Sequence, residues 1–279
     1  MKTKRDHSIY PVWFVLPSLV IFAVFFLWPI VTSLYYSLTV WNYKLFFSEY
    51  SMSSSVIHTM IYAFGTSALK VIIAFFIAIF LTSRIRTKGF IRSAVFFPNL
   101  VSMMAVGLTF SYLMHPTKGL FNVVIEMLGG TPIDFLGNPN TALASILMTD
   151  VWKGLSISVV IYIAGIQSID RTYYEAASID GATGWQQLKN ITLPLVAASQ
   201  NSIIILSLIG GLRSFELIWA MTGGGPGFAT DVLASVIYKQ YAAGFYGLST
   251  AGNVVMLILI SVIAFPLQHF LNKREEAMQ

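Results

Sequence analysis

The chain of 279 residues is 56% hydrophobic and only 10% charged, with a mean hydropathy of +0.72, which excludes an ordinary soluble domain and points to a bilayer. It holds no cysteine, so disulfide frameworks and cysteine-based zinc or redox chemistry are excluded. The net charge of +5 does not signal nucleic acid, because the basic residues follow the ends of apolar runs instead of gathering on one soluble face.

A spanning helix needs about 20 mostly apolar residues, and six windows qualify: 12–36, 56–82, 93–114, 141–167, 195–220 and 251–272. Lys2, Lys4 and Arg5 precede the first window as they would in a signal peptide. The run is too long for a signal core and has no small-residue cleavage site, so an uncleaved span is expected. Pro17 and Pro29 predict a kink in it.

Positive residues are retained on the cytoplasmic side of a membrane. With the N-terminus inside, the inner segments 1–11, 83–92, 168–194 and 273–279 carry Lys2, Lys4, Arg5, Arg84, Arg86, Lys88, Arg92, Arg171, Lys189, Lys273 and Arg274. The outer loops 37–55, 115–140 and 221–250 carry only Lys44, Lys118 and Lys239. This asymmetry places both termini in the cytoplasm, with tails 1–11 and 273–279 flanking a single transmembrane domain at 12–272. The outer loops are rich in turn residues, including Gly129-Gly130-Thr131-Pro132 and Gly223-Gly224-Gly225-Pro226-Gly227. No GxxxxGK[ST] occurs, so the glycines form no ATP-binding loop and this chain is not expected to hydrolyse ATP. A turn or a contact surface for an external partner explains them better.

Five acidic or basic side chains other than histidine fall inside the windows: Lys70, Asp150, Lys153, Arg213 and Glu216. Such groups are costly in a bilayer and face a protein interior or a water-filled path. Asp150 with Lys153, and Arg213 with Glu216, have i,i+3 spacing, which on a continuous helix lets acid and base neutralise each other. A structural pair and a solute-binding cluster both fit. Lys70 lies near the middle of the second window; at about 1.5 Å per residue Lys153 lies near the midplane and Asp150, Arg213 and Glu216 within one outer half, so these last four could line one cavity. Trp152, Phe215 and Trp219 adjoin these charges, and planar aromatics beside fixed polar groups suit a sugar. Gly210-Gly211 interrupts the fifth window and is expected to serve close helix packing or a hinge. His7, His58, His115 and His269 have no ligand-like spacing, and no metal site is expected.

The segment from Asp170 to Pro194 is the one long polar stretch in the oily second half. Thr172 and Glu175 read as a capping box and Gly181 as a left-handed helix end, predicting a short helix over 172–180. Tyr173, Ala176, Ala177 and Asp180 recur at helical spacing, a stripe that fits either a partner's groove or an ordinary solvated loop.

Glu175-Ala176-Ala177, Gly181 and Ile191-Thr192-Leu193-Pro194 at this spacing resemble the EAA signature of the membrane subunits of binding-protein-dependent ABC importers. Met221-Thr222-Gly223-Gly224-Gly225-Pro226 with Tyr246-Gly247, and the opening Leu16-Pro17 and Trp28-Pro29, resemble the carbohydrate-uptake branch, specifically the maltose-type first permease subunit. The resemblance implies an all-α integral membrane fold of type I ABC importer kind, with six transmembrane helices and a short cytoplasmic coupling helix between the fourth and fifth. It implies ATPase coupling through Glu175, Ala176, Ala177, Asp180, Gly181, Leu193 and Pro194. The helix before the glycine-rich loop would supply solute contacts at Arg213, Phe215, Glu216 and Leu217, joined on our reading by Asp150, Trp152, Lys153 and Trp219. The implied partners are a second ABC permease subunit, a cytoplasmic ATPase dimer that holds ATP and Mg, and an extracytoplasmic solute-binding protein, in the lipid of a bacterial or archaeal inner membrane. No cofactor is expected on this chain itself, and no nucleic acid partner. The expected function is import of a sugar or oligosaccharide. Glycerol phosphate held by Arg213 is the alternative, and an ion-coupled carrier using Asp150 and Glu216 is the rival of another class.

Overall fold

The computed structural model describes residues 12–38, 42–83 and 87–276, and every regular element among them is helical. The tail with Lys2, Lys4 and Arg5, the inner-loop residues Arg84 and Arg86, and the last three residues lie outside this range.

The chain opens on α1 (Trp13–Leu38). A π-helical turn at Ala23–Leu27, closed by the Trp28 amide on the Ala23 carbonyl, directly precedes Pro29. Proline has no amide to continue the ladder, and the widened turn absorbs the missing bond. The short α2 (Asn42–Ser48) leads into α3 (Tyr50–Thr82). Then come α4 (Lys88–Leu100), α5 (Met103–Leu113), α6 (Leu120–Met127) and α7 (Pro139–Gln167). The polar segment forms α8 (Arg171–Ile179) and the start of α9 (Gly184–Leu195). The chain ends through α10 (Ala197–Leu212), α11 (Glu216–Met221), α12 (Leu233–Ala242) and α13 (Tyr246–Glu276).

Four helices, Trp13–Leu38, Ser51–Thr82, Pro139–Gln167 and Tyr246–Glu275, are each long and apolar enough to cross a bilayer, and up to six spans result if each of two bent pairs counts as one. The bent pairs correct two of the windows. The 93–114 window is not one rod: α4 and α5 meet at 102°. Val101 leaves the helix in an extended conformation and the Ser102 side chain accepts from the Ala105 amide, capping a new helix. The 195–220 window is also broken. Its helix begins earlier, bends by 64° between α9 and α10, and stops at Leu212, with Glu216–Met221 as a separate short helix. Each loop expected to be outer carries a short helix: α2, α6 and α12.

The centre of the bundle is α3, which packs chiefly on α7 and α10. Ala63, Ser67, Lys70, Ala74, Ala78 and Leu81, all buried, repeat every three or four residues and make one buried stripe. Small residues allow close approach, as membrane helices require in the absence of a hydrophobic drive between them. Gly211 of α10 sits against the Ala63 backbone, where a β-carbon would clash. Close packing is thus the role of Gly211, whereas Gly210 faces open space.

Candidate functional site

Three of the five intramembrane charges gather at the junction of α3, α4 and α7. Lys70 Nζ lies 3.1 Å from Asp150 Oδ2, both side chains 9% exposed, so the pair bridges α3 and α7. The expected neutralisation of Asp150 by Lys153 within one helix does not occur. Gly154 explains the preference, because its missing β-carbon leaves the space in which the Lys70 side chain lies across α7.

Lys153 turns instead to the break between α4 and α5. Its Nζ donates to the Val101 carbonyl at 2.6 Å and the Pro98 carbonyl at 3.1 Å. These belong to the end of α4, where the Pro98 carbonyl otherwise takes only the long 3.4 Å bond from the Val101 amide and the last carbonyls carry the negative end of the helix dipole. Lys153 therefore staples the bend between α4 and α5. Lys153→Met is expected to destabilise the folded chain by about 2 kcal/mol, the scale of a hydrogen bond to a charged group. Thermal unfolding in detergent measures it.

The Arg213–Glu216 pairing is corrected as well. Arg213 ends α10 and Glu216 begins α11, so the two share no continuous helix, both are exposed, and neither forms an ion pair among the described residues. They do share a cavity. A space of about 400 Å³ is lined by Asp150, Lys153, Arg213, Phe215, Glu216 and Leu217, together with Lys70, Asn99, Met103, Gly154, Ile157, Gly210 and Ser214. Two of the predicted residues lie elsewhere. Trp152 packs on Phe110 with ring centroids 5.1 Å apart. Trp219 stacks on Phe215 at 5.6 Å and meets Tyr238 edge-on at 4.8 Å, so it supports the cavity wall from behind. Lys70, Gly154 and Asn99 were not among the predicted site residues; the only local sign was the charge of Lys70 in an apolar window.

The glycine-rich loop after α11 closes on itself. Asp231, fully buried, holds Lys239 through both carboxylate oxygens at 2.8 Å and accepts from Ser235 Oγ, also at 2.8 Å. Thr230 Oγ1 donates to the Gly225 carbonyl at 2.7 Å, and the Leu233 amide donates to Thr59 of α3. Gly224 has φ +95° and lies against the Asp231 carboxylate, leaving no room for a side chain. The loop is a turn built around one buried acid and moored to α3.

At the other end of the spans, α8 is capped differently from expectation. Asp170, not Thr172, is the N-cap: its Oδ1 accepts from the Thr172 amide at 3.0 Å, which leaves Thr172 inside the helix and no Thr172–Glu175 box. The capping box of this region is Thr183 with Gln186, which starts α9. Gly181 is the left-handed end, at φ +78°. The Ala182 amide bonds the Ala177 carbonyl at 2.9 Å and the Gly181 amide bonds that of Ser178 at 3.2 Å, a Schellman ending. The Thr172 amide and hydroxyl hold the Asp170 carboxyl below its usual range. Because this pKa is depressed on folding, the cap contributes above the unfolded pKa and is lost as pH falls through the lower folded value. The protection of amides at the start of α8, taken relative to their intrinsic exchange rate at each pH, is expected to fall in acid for the native chain and to stay flat in Asp170→Asn, which caps without titrating.

The two faces of α8 differ. Tyr174 and Ala177 turn inward, and the Tyr174 hydroxyl lies 2.9 Å from Thr192 Oγ1 of α9. Gln187 Nε2 donates to Ser178 Oγ at 3.0 Å. Tyr173, Glu175, Ala176 and Asp180 are exposed, Ala177 is half-buried, and Ile179 at 88% and Trp185 at 68% are exposed although large and apolar. Leu193 is exposed and Pro194 half-buried after a π-helical turn, Leu188–Thr192, which precedes this proline as another precedes Pro29. The result is a short two-helix element braced from within, with an apolar and acidic outer face.

An apolar helical bundle with a charged cavity inside and a capped helix pair beyond the ends of its spans defines a multi-pass membrane transport subunit. The chain belongs to the family of binding-protein-dependent transport system inner membrane components, whose profile matches residues 70–276. It is 31% identical over 259 residues to the trehalose/maltose transport system permease protein MalF of Thermococcus litoralis, covering 88% of each chain. It is 28% identical to the sn-glycerol-3-phosphate transport system permease protein UgpA of Agrobacterium fabrum, covering 95% of this chain and 94% of that one. In fold it matches a chain of the bacterial alginate ABC transporter solved with its alginate pentasaccharide-bound periplasmic protein, with TM-score 0.82 and 21% identity over 94% of this chain and 93% of the other. It is therefore a permease component of an ABC importer.

Proposed function

We propose that the chain forms, with a second permease, the path for a sugar or oligosaccharide handed over by an extracytoplasmic solute-binding protein. The carrying observation is the cavity among α3, α4, α7 and α10, where Asp150, Lys153, Arg213 and Glu216 meet Phe215 inside an otherwise apolar bundle. Hydroxyl groups find donors and acceptors there, and a pyranose face finds a ring. The likeness to a trehalose/maltose permease supports the same reading. Each bent pair then counts as one span, giving six, with both termini and α8 in the cytoplasm. The ATPase dimer, which holds the ATP and Mg, docks on the exposed face of α8 through Glu175, Ala176, Asp180 and Gly181, with the half-buried Ala177 and, on α9, Leu193 and Pro194 behind them. Closure of the ATPases rocks the bundle between inward- and outward-facing states, which requires contacts at α8 that differ between the two.

A second reading has one observation of its own. Arg213 lines the cavity without an ion-pair partner among the described residues, and a guanidinium suits a phosphate, so a glycerol phosphate is the competing solute. The experiment is uptake into proteoliposomes holding the complete complex and its binding protein, with labelled maltooligosaccharide or glycerol phosphate. Sugar uptake that requires ATP and the binding protein, and falls about tenfold or more in Phe215→Ala, supports the first reading. Glycerol phosphate uptake abolished by Arg213→Gln replaces it with the second.

A further inference from the structure

A groove on the flank of the bundle, away from the charged cavity, has a distinct polarity. It encloses about 350 Å³ between α4, α7 and the end of α3. Its walls are Val95, Phe96, Val159, Val160 and Ile163, and its one charged residue is Arg92. The Arg92 side chain is half-buried. Its Nη2 makes one long bond, 3.4 Å, to the Leu81 carbonyl, and its Nε is buried with no hydrogen-bond partner among the described residues. The two serines in the wall are already satisfied, Ser93 by the Gly89 carbonyl and Ser156 by that of Lys153.

Depth gives the groove its meaning. Arg92 stands four residues from the start of α4 and Ile163 four from the end of α7, about 6 Å inside the helix ends; Ser156 stands eleven from that end, about 16 Å inside. The cation is therefore at the membrane edge and the apolar slot runs inward from it. An acyl chain with an anionic head at the edge has the same order of polarity. A second apolar helix laid in the groove would cover the Arg92 guanidinium without a counter-charge, which an anionic head supplies. In sequence, the segment 84–92 holds Arg84, Arg86, Lys88 and Arg92 and no acidic residue, and basic pockets between spans on the cytoplasmic side attract anionic head groups.

We propose that this groove binds an anionic phospholipid, its phosphate on Arg92 and one acyl chain against Phe96, Val159, Val160 and Ile163. The complete complex, purified in mild detergent, is offered phosphatidylglycerol or phosphatidylcholine with the same acyl chains, and the retained lipid is counted by native mass spectrometry. Wild type is expected to retain phosphatidylglycerol about fivefold better, the scale of one basic residue near an anionic head. Arg92→Gln should lose that preference and Arg92→Lys should keep most of it, while Val160→Trp, which fills the slot, should retain less of both lipids. Added inorganic phosphate should not displace the lipid. An undiminished preference in Arg92→Gln, equal retention of both lipids by wild type, or a photocrosslinker at Val160 that labels the second permease instead of lipid would each overturn the proposal.

Discussion

Asp150→Ala is expected to lower the stability of the folded chain by about 3–5 kcal/mol, the scale for breaking a buried ion pair from one side. The reason lies across the bundle. Lys70 Nζ is 3.1 Å from Asp150 Oδ2 and both side chains are 9% exposed, so removing the acid strands an ammonium group between α3 and α7. The double change Lys70→Met with Asp150→Leu should return most of that loss, because apolar groups of similar volume replace a buried pair at little net cost. Thermal unfolding of the three variants in detergent reads the cycle. A single variant within about 1 kcal/mol of wild type would mean that Lys70 reaches water or another acceptor. Uptake separates structure from transport: the double variant should fold yet transport poorly if the pair also faces the solute.

Gly181→Asp is expected to reduce ATP-driven uptake by about tenfold or more while the chain remains folded and paired with its second permease. Gly181 is exposed, has φ +78° and has open space where a side chain would start. The backbone penalty for a side chain at this angle is about 1–2 kcal/mol, least for Asn and Asp. Gly181→Asn carries the same penalty without the charge and serves as the control. Added negative charge beside Asp180 alters the exposed surface at the end of α8 on which we propose that the ATPase docks. Glu175→Lys should act in the same direction, since Glu175 is exposed and no ion pair ties it to this chain among the described residues. Co-purification with the ATPase is the direct readout. Full ATPase retention with full uptake in both Gly181→Asp and Glu175→Lys would rule out α8 as the docking element.

Much of the membrane organisation was legible because bilayer helices announce themselves by length and composition. The windows at 12–36, 56–82, 141–167 and 251–272 each correspond to one long helix. The end of α8 was legible for a local reason: a glycine after a helical stretch permits the left-handed turn found at Gly181. Its start was misread, since Asp170 and Thr172 are both good caps and the choice falls to the one placed where the chain leaves α7. Hydropathy also passed over the breaks at Val101–Ser102 and Arg213–Phe215, because a window average stays apolar when the few polar residues at a break are flanked on both sides by apolar runs. Ser102, a capping residue, was the local trace of the first.

By itself the sequence determined that this chain lives in a membrane, where four of its long helices run, and that a short polar helix follows the fourth window. These follow from composition, from periodicity and from residues acting on their immediate neighbours. The charge pairings belonged to the tertiary structure. Spacing offered Asp150 to Lys153, whereas the fold gave Asp150 to Lys70, eighty positions away, and gave Lys153 to the carbonyls of a broken helix. In a low-dielectric interior a charge is settled by whichever compensating group packing brings within about 3 Å, and packing is decided by the whole bundle.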